Sequence, residues 1–212
     1  VGDRIMNLIL VRHGETEWNR VGRCQGFSDT ELNNNGREQI RELAKSLMNE
    51  SISAVYSSDL IRALDTANAI AHHHNLTVEV DPDLRELNQG DFEGLTFVEI
   101  REKYSPLLNK WVESPEVVKL PGGESLKELQ ERAWRAIERI YIKHQNQTVV
   151  AVSHNLTIIT LLCKFKGIGL EEFRSFKLRA ASKNTILFRN GHFNVNVLND
   201  VSHLRQELLT EQ

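Results

Sequence analysis

Apolar residues along this chain follow two different periods. From Ile5 to Val11 they run on without alternation, interrupted only by Asn7, which is the pattern of a strand covered on both faces in a parallel sheet. The run stops at Arg12, His13 and Gly14. A second run, Thr148 to Val152, stops at Ser153, His154 and Asn155, and a shorter one, Ala54 to Tyr56, stops at Ser57, Ser58 and Asp59. Each strand is followed, directly or after a loop, by a helical stripe. Ile40, Leu43, Ala44 and Leu47 form the first, Leu60, Ala63, Leu64, Ala67 and Ile70 the second, and Leu156 to Lys164 the last. One of Asn33 to Asn35 is available as a cap for the first helix, and Ser57 to Asp59 supply capping oxygens for the second. Thr96-Phe97-Val98-Glu99 and Ser125-Leu126-Lys127-Glu128 are capping boxes, which start helices near Phe97 and over Leu126 to about His144. Leu76 to Val80 reads as a further strand. Asn190-Gly191, set between Asn184 to Arg189 and Phe193 to Leu198, predicts a hairpin. The sum is an α/β three-layer sandwich, a mostly parallel central sheet with helices on both faces and a C-terminal antiparallel hairpin.

Two stretches have neither period. Arg20 to Asn35 is rich in Gly, Asn, Asp and Arg, and a loop of that length inside a compact domain is usually functional. Ser105 to Gly123 holds three of the four prolines and reads as an excursion over the active edge, helical around Leu107 to Val112. The 212 residues fit one domain, spanning 6–204, with 1–5 and 205–212 as terminal extensions. A formal net charge of −3 leaves no basic surplus for a phosphate backbone, which argues against a nucleic-acid partner. The sequence offers no membrane span or secretory signal, and Cys24 and Cys163 are its only cysteines. The expectation is a reduced cytoplasmic protein without a membrane partner.

Ligands of open α/β sheets bind in the crevice at the carboxyl ends of the strands. Three strand ends there carry Arg12 with His13, then Arg62, then His154, and an intervening loop adds Glu86. Two arginines and two histidines make a cationic cup that suits a phosphoryl group, because guanidinium forks match phosphate oxygens. A neutral imidazole is a usable nucleophile and a nearby carboxylic acid can protonate a departing alkoxide. Taken singly these residues have bland readings: Arg62 as a salt-bridging side chain, Glu86 as a surface acid, and His72, His73, His74 and His144 as helix C-terminal residues that favour the dipole. Convergence on one edge sets the five apart. A zinc site of His13, His154 and Glu86 is opposed by the flanking arginines and by the lack of an H-E-x-x-H spacing.

The run Leu10-Val11-Arg12-His13-Gly14-Glu15-Thr16, with Trp18-Asn19, resembles the signature of the histidine phosphatase superfamily in its phosphoglycerate mutase-like branch. The resemblance continues through Gly22 to Gly26, Tyr56 to Leu60 with Arg62-Ala63, Leu84 to Gly94, Gly122 to Ser125 and Val152 to His154. It implies that His13 becomes a transient phosphohistidine while Arg12, Arg62 and His154 hold phosphoryl oxygens. Glu86 would serve as acid and then as base. Asn19, Gln25 and Gly26 match positions at the substrate, and the scheme needs no metal and no cofactor.

Two departures bear on the substrate. Asn155 stands where many relatives have glycine, and its side chain narrows the pocket or contacts phosphate. Pro115 to Pro121 stands where cofactor-dependent phosphoglycerate mutases carry an arginine-rich insert, which favours a phosphatase. The similar groups are broad-specificity, metal-independent phosphoserine and α-ribazole phosphatases. Of two histidines expected to bind the amino acid of phosphoserine, one near Gln89 and one in the tail, only His203 is present. The expectation is a metal-independent phosphomonoesterase acting on small phosphorylated metabolites, with a phosphoglycerate mutase as the alternative and an idle phosphate-binding module as a third reading. Phe165, Ile168, Leu170, Phe173 and Phe176 either line a homodimer surface or complete the core.

Overall fold

The structure is a computed structural model and describes residues 4–209. In chain order the elements are β1 (Ile5–Arg12), α1 (Glu17–Arg20), α2 (Asn34–Leu47), β2 (Ile52–Ser57), α3 (Ile61–His73), β3 (Val78–Val80), α4 (Phe97–Glu113), α5 (Leu126–Lys143), β4 (Gln147–Ser153), α6 (Asn155–Lys166), β5 (Lys183–Arg189) and β6 (His192–Asp200). They build a six-stranded sheet in the order β3-β2-β4-β1-β5-β6. The first four strands of that order are parallel, and β5 and β6 join as the antiparallel hairpin expected from Asn190-Gly191. Both turn residues have positive φ, 50° and 83°, as a two-residue hairpin turn requires.

β1 lies at the middle of the sheet, which is why its apolar run is unbroken. Met6, Leu8 and Leu10 join one buried cluster with α5 and α6, while Ile9 and Val11 join the other with α2 and α3. The period of two along a strand thus feeds two cores, one per face. Phe165, Leu170, Phe173 and Phe176 are buried in the first core and Ile168 is exposed, so four of these five apolar residues complete the core.

Local chemistry sets the helix starts. Asn33 caps α2 through Gly36 N, and the boxes at Thr96 and Ser125 both form. Two expectations are adjusted. Of the oxygens expected to cap α3, Ser58 Oγ accepts from Leu60 N at 3.2 Å, but Ile61 N is capped by Asp29 Oδ1 at 2.7 Å from the long loop, because Asp59 is engaged by Arg85 Nε at 2.6 Å. The excursion after Thr96 is more helical than its prolines imply: α4 breaks only at Tyr104 (φ −129°) and resumes with Pro106 in its next turn, where a missing N–H costs little. β1 already begins at Ile5 and Leu208 is buried against α2, with Gln39 Nε2 donating to its carbonyl at 2.8 Å. The expected extensions at 1–5 and 205–212 lie partly outside the described residues. No helix among those described is long and apolar enough to cross a membrane.

Candidate active site

Strand register brings the two histidines together. In the parallel pair β1–β4, Arg12 faces Ser153, so the residues that follow, His13 and His154, emerge side by side with ring centroids 5.1 Å apart. β2 flanks β4 on the other side, and α3 behind it delivers Arg62. Arg12, His13, Asn19, Gln25, Gly26, Arg62, Glu86 and Asn155 all line one cleft of about 850 Å³. His154 is fully buried beside His13. His203 is the one expected site residue outside this group: the cleft wall does not include it, and it sits near Lys183, Asp200 and the Ala181 backbone.

The nitrogen roles of His13 follow from its partner. Nδ1 lies 2.6 Å from the Gly14 carbonyl oxygen, which can only accept, so Nδ1 carries the proton and Nε2 keeps a lone pair. Burial, then Arg62 and Arg12, hold the imidazole pKa well below its ordinary value, against the opposing Gly14 hydrogen bond. His13 is therefore neutral at pH 7. The loop carrying it is fixed by close packing, since a Cβ on Gly14 would meet the Gly36 carbonyl oxygen at 2.8 Å and one on Gly36 would meet Glu15 O at 2.1 Å.

Carbonyl groups anchor both arginines. Arg62 Nη1 and Nη2 donate to Ser28 O and Gly26 O, each at 2.8 Å, and its buried Nε has no protein partner. Arg12 Nη1 donates to the Leu178 carbonyl. Burial brings both guanidinium pKa values down to about 10, with Glu86 opposing in each case, so both remain charged at neutral pH. His154 Nε2 meets Ser58 Oγ at 2.8 Å while its buried Nδ1 is unpartnered; burial, Arg62 and His13 keep this ring neutral too. Asn19 Oδ1 is used in the capping box of α1, and Gln25 Oε1 accepts from the hydroxyls of Thr16 and Thr30. Their amide nitrogens are left for a ligand.

Glu86 is held from several sides. Oε1 accepts from Leu87 N at 2.8 Å and Thr157 N at 3.2 Å, and Oε2 accepts from Leu156 N at 3.2 Å, so the carboxylate occupies the N-terminus of α6. Arg132, 8% exposed, uses all its nitrogens beneath it: Nε and Nη2 meet the Glu124 carboxylate at 2.8 Å, Nη1 meets the carbonyls of Asp83 and Arg85, and Nη2 meets Glu86 O at 2.6 Å. Sequence reasoning missed Arg132 and Ser58. The only trace of Arg132 was a cation on the buried stripe of α5, between Leu129 and Ala136; Ser58 was expected only as a capping oxygen and within the run Tyr56 to Leu60, not as a partner of His154.

A buried, neutral imidazole beside two fixed guanidinium groups and a carboxyl group, at the carboxyl edge of a parallel sheet, has the chemistry to hold a phosphoryl group. The chain belongs to the histidine phosphatase superfamily, branch 1, whose family model matches residues 8–201. It is 38% identical to phosphoserine phosphatase 1 of Hydrogenobacter thermophilus, over 94% of this chain and 95% of that protein. It is 37% identical to phosphoglycerate mutase-like protein 4 of Arabidopsis thaliana, over 94% and 87%. Among solved structures, Bacillus stearothermophilus YhfR superimposes with a TM-score of 0.88 at 34% identity, covering 93% of this chain and 98% of that one. A phosphoserine phosphatase from Entamoeba histolytica, solved with phosphoserine, gives 0.86 at 30% identity, covering 94% and 100%. Family and relatives support a phosphatase, a phosphoric monoester hydrolase, as expected from the sequence.

Proposed function

We propose that the chain is a metal-independent phosphomonoesterase that hydrolyses small phosphorylated metabolites through a phosphohistidine on His13. The observation that carries the reading is the His13 Nδ1 to Gly14 O contact of 2.6 Å, which presets Nε2 as the nucleophile. Nε2 attacks phosphorus in line; the Nε2–P bond forms as the bond to the leaving oxygen breaks. Arg12, Arg62 Nε, His154 Nδ1 and the amides of Asn19 and Gln25 take the phosphoryl oxygens and the charge that spreads over them. Glu86 serves as the general acid, a proton on its carboxyl group passing to the leaving alkoxide as the bond to phosphorus breaks. It then accepts a proton from the water that breaks the Nε2–P bond, and phosphate departs with Glu86 ready for the next turn. Asn155, at the start of α6 on the cleft wall, contacts the bound ester.

The test is rapid-quench trapping in alkaline denaturant with a labelled phosphoester. A base-stable, acid-labile label on the wild type that is absent from His13→Ala, with turnover unchanged by a strong chelator, is the expected result. Normal turnover by His13→Ala, or loss of activity on chelation, refutes it. Interconversion of 2- and 3-phosphoglycerate without release of phosphate would mark the mutase alternative instead.

A further inference from the structure

The cleft is far larger than the chemistry at its floor requires. A volume of about 850 Å³ lies in the range that encloses a drug-sized ligand, several times the space of a three-carbon phosphoamino acid. The part remote from β1 is walled by α4 and by the segment after α6, through Phe97, Ile100, Trp111 and Phe173. These are flat or branched apolar surfaces, with Trp111 and Phe173 in edge contact at 5.2 Å.

Polar groups on this wall are open to a ligand. Of the four arginines lining the cleft away from its phosphate end, Arg20 and Arg23 are paired with Glu17 and Glu99. Arg101 and Arg174, both exposed to solvent, have no carboxylate partner among the described residues. The Arg174 guanidinium lies over the Phe173 ring, 5.5 Å from its centroid, which joins it to the Trp111–Phe173 wall. Trp111 Nε1, on the same wall, is buried with no hydrogen-bond partner. A buried indole N–H normally finds an acceptor.

Resting on the phosphomonoesterase reading, we propose that the outer half of the cleft is a leaving-group subsite for an elongated phosphoester. Its flat apolar body lies against Phe97, Trp111 and Phe173, and its distal carboxylate or second phosphate is held by Arg101, Arg174 and Trp111 Nε1. A neutral body alone satisfies the apolar wall but leaves Trp111 Nε1 without an acceptor, and a short anionic ester leaves the wall wet.

The test uses phenyl phosphate, 2-naphthyl phosphate and 6-carboxy-2-naphthyl phosphate, with the matching non-hydrolysable phosphonates for calorimetry. Naphthyl is expected to exceed phenyl in kcat/KM. The carboxylate is expected to add about a further tenfold, what one charge-assisted hydrogen bond supplies. Arg174→Gln and Arg101→Gln reduce the ratio of carboxylated to uncharged ester toward one. A ratio near one in the wild type, or a ratio that survives both substitutions, overturns the subsite. If no ester turns over but the phosphonates show the same ratios in affinity, the subsite stands and the hydrolase reading falls.

Discussion

Arg132 is not itself on the cleft wall, yet its removal is expected to damage one step of the reaction selectively. In Arg132→Met the Glu124 carboxylate loses two 2.8 Å hydrogen bonds, and the carbonyls of Asp83, Arg85 and Glu86 lose theirs. Breaking a buried ion pair from one side costs about 3–5 kcal/mol. Glu124 stays partly satisfied by Asn88 N at 2.8 Å and its side chain is 20% exposed, which puts the expected loss of stability near the low end, about 3 kcal/mol. The catalytic effect follows from which group the segment carries. Glu86 keeps its contacts to the start of α6 but loses the restraint on its own backbone. Misplacement of an acid by about 1 Å costs about a hundredfold. An acid matters most when the leaving oxygen is basic. Turnover of an alkyl ester such as phosphoserine should therefore fall about a hundredfold, and that of p-nitrophenyl phosphate, whose leaving group needs little protonation, less than about tenfold. The assay is kcat for both esters on protein shown by urea titration to be folded, with Arg132→Lys as the conservative variant that recovers part of the loss. An equal fall for both esters would falsify the positioning role. So would losses that simply multiply in the Glu86→Gln double variant, since residues acting through one another are not additive.

Gly36→Ala tests the packing that holds the nucleophile loop. Its new Cβ would lie 2.1 Å from Glu15 O, so overpacking is expected to cost about 1–3 kcal/mol and to lower kcat although residue 36 is not on the cleft wall; wild-type urea stability and turnover would show the approach to be slack. Stability should also depend on pH with a defined sign. His13, His154 and His203 have folded pKa values below their ordinary value, His203 at about 4, each through burial first. The unfolded chain then binds more protons below pH 6.5, so these groups make stability rise with pH between their folded values and about 6.5 by up to about 1.4 kcal/mol per pH unit each. The part-exposed His203 contributes less because solvent screens it. Urea titrations at pH 5 and 7 read this, and a midpoint that increases on acidification, with no flattening in His203→Gln, contradicts it.

Features set by a few neighbouring residues could be read directly from the chain. The capping boxes at Thr96 and Ser125, the Asn33 cap and the Asn190-Gly191 turn depend on contacts three residues apart or fewer. The edge position of Arg12, His13, Arg62 and His154 also follows locally, because each stands at or just after the point where an apolar strand ends. Side chains that leave their own element were harder to read. Asp29 rather than Asp59 caps Ile61, from 32 residues earlier, and His203 is the expected binding residue that does not reach the cleft wall.

The sequence by itself determined that this chain folds as alternating strands and helices and that its charged and imidazole groups gather at one sheet edge. Periodicity and capping are short-range, and the strand ends of a parallel sheet share one side. Tertiary structure alone decided that β4 pairs with β1, which sets His154 5.1 Å from His13, and that Glu86 meets the N-terminus of α6 with Arg132 below it. Those contacts join residues from 46 to 141 positions apart in the chain, and strand order is fixed by the burial of both sheet faces at once, a condition no local pattern contains.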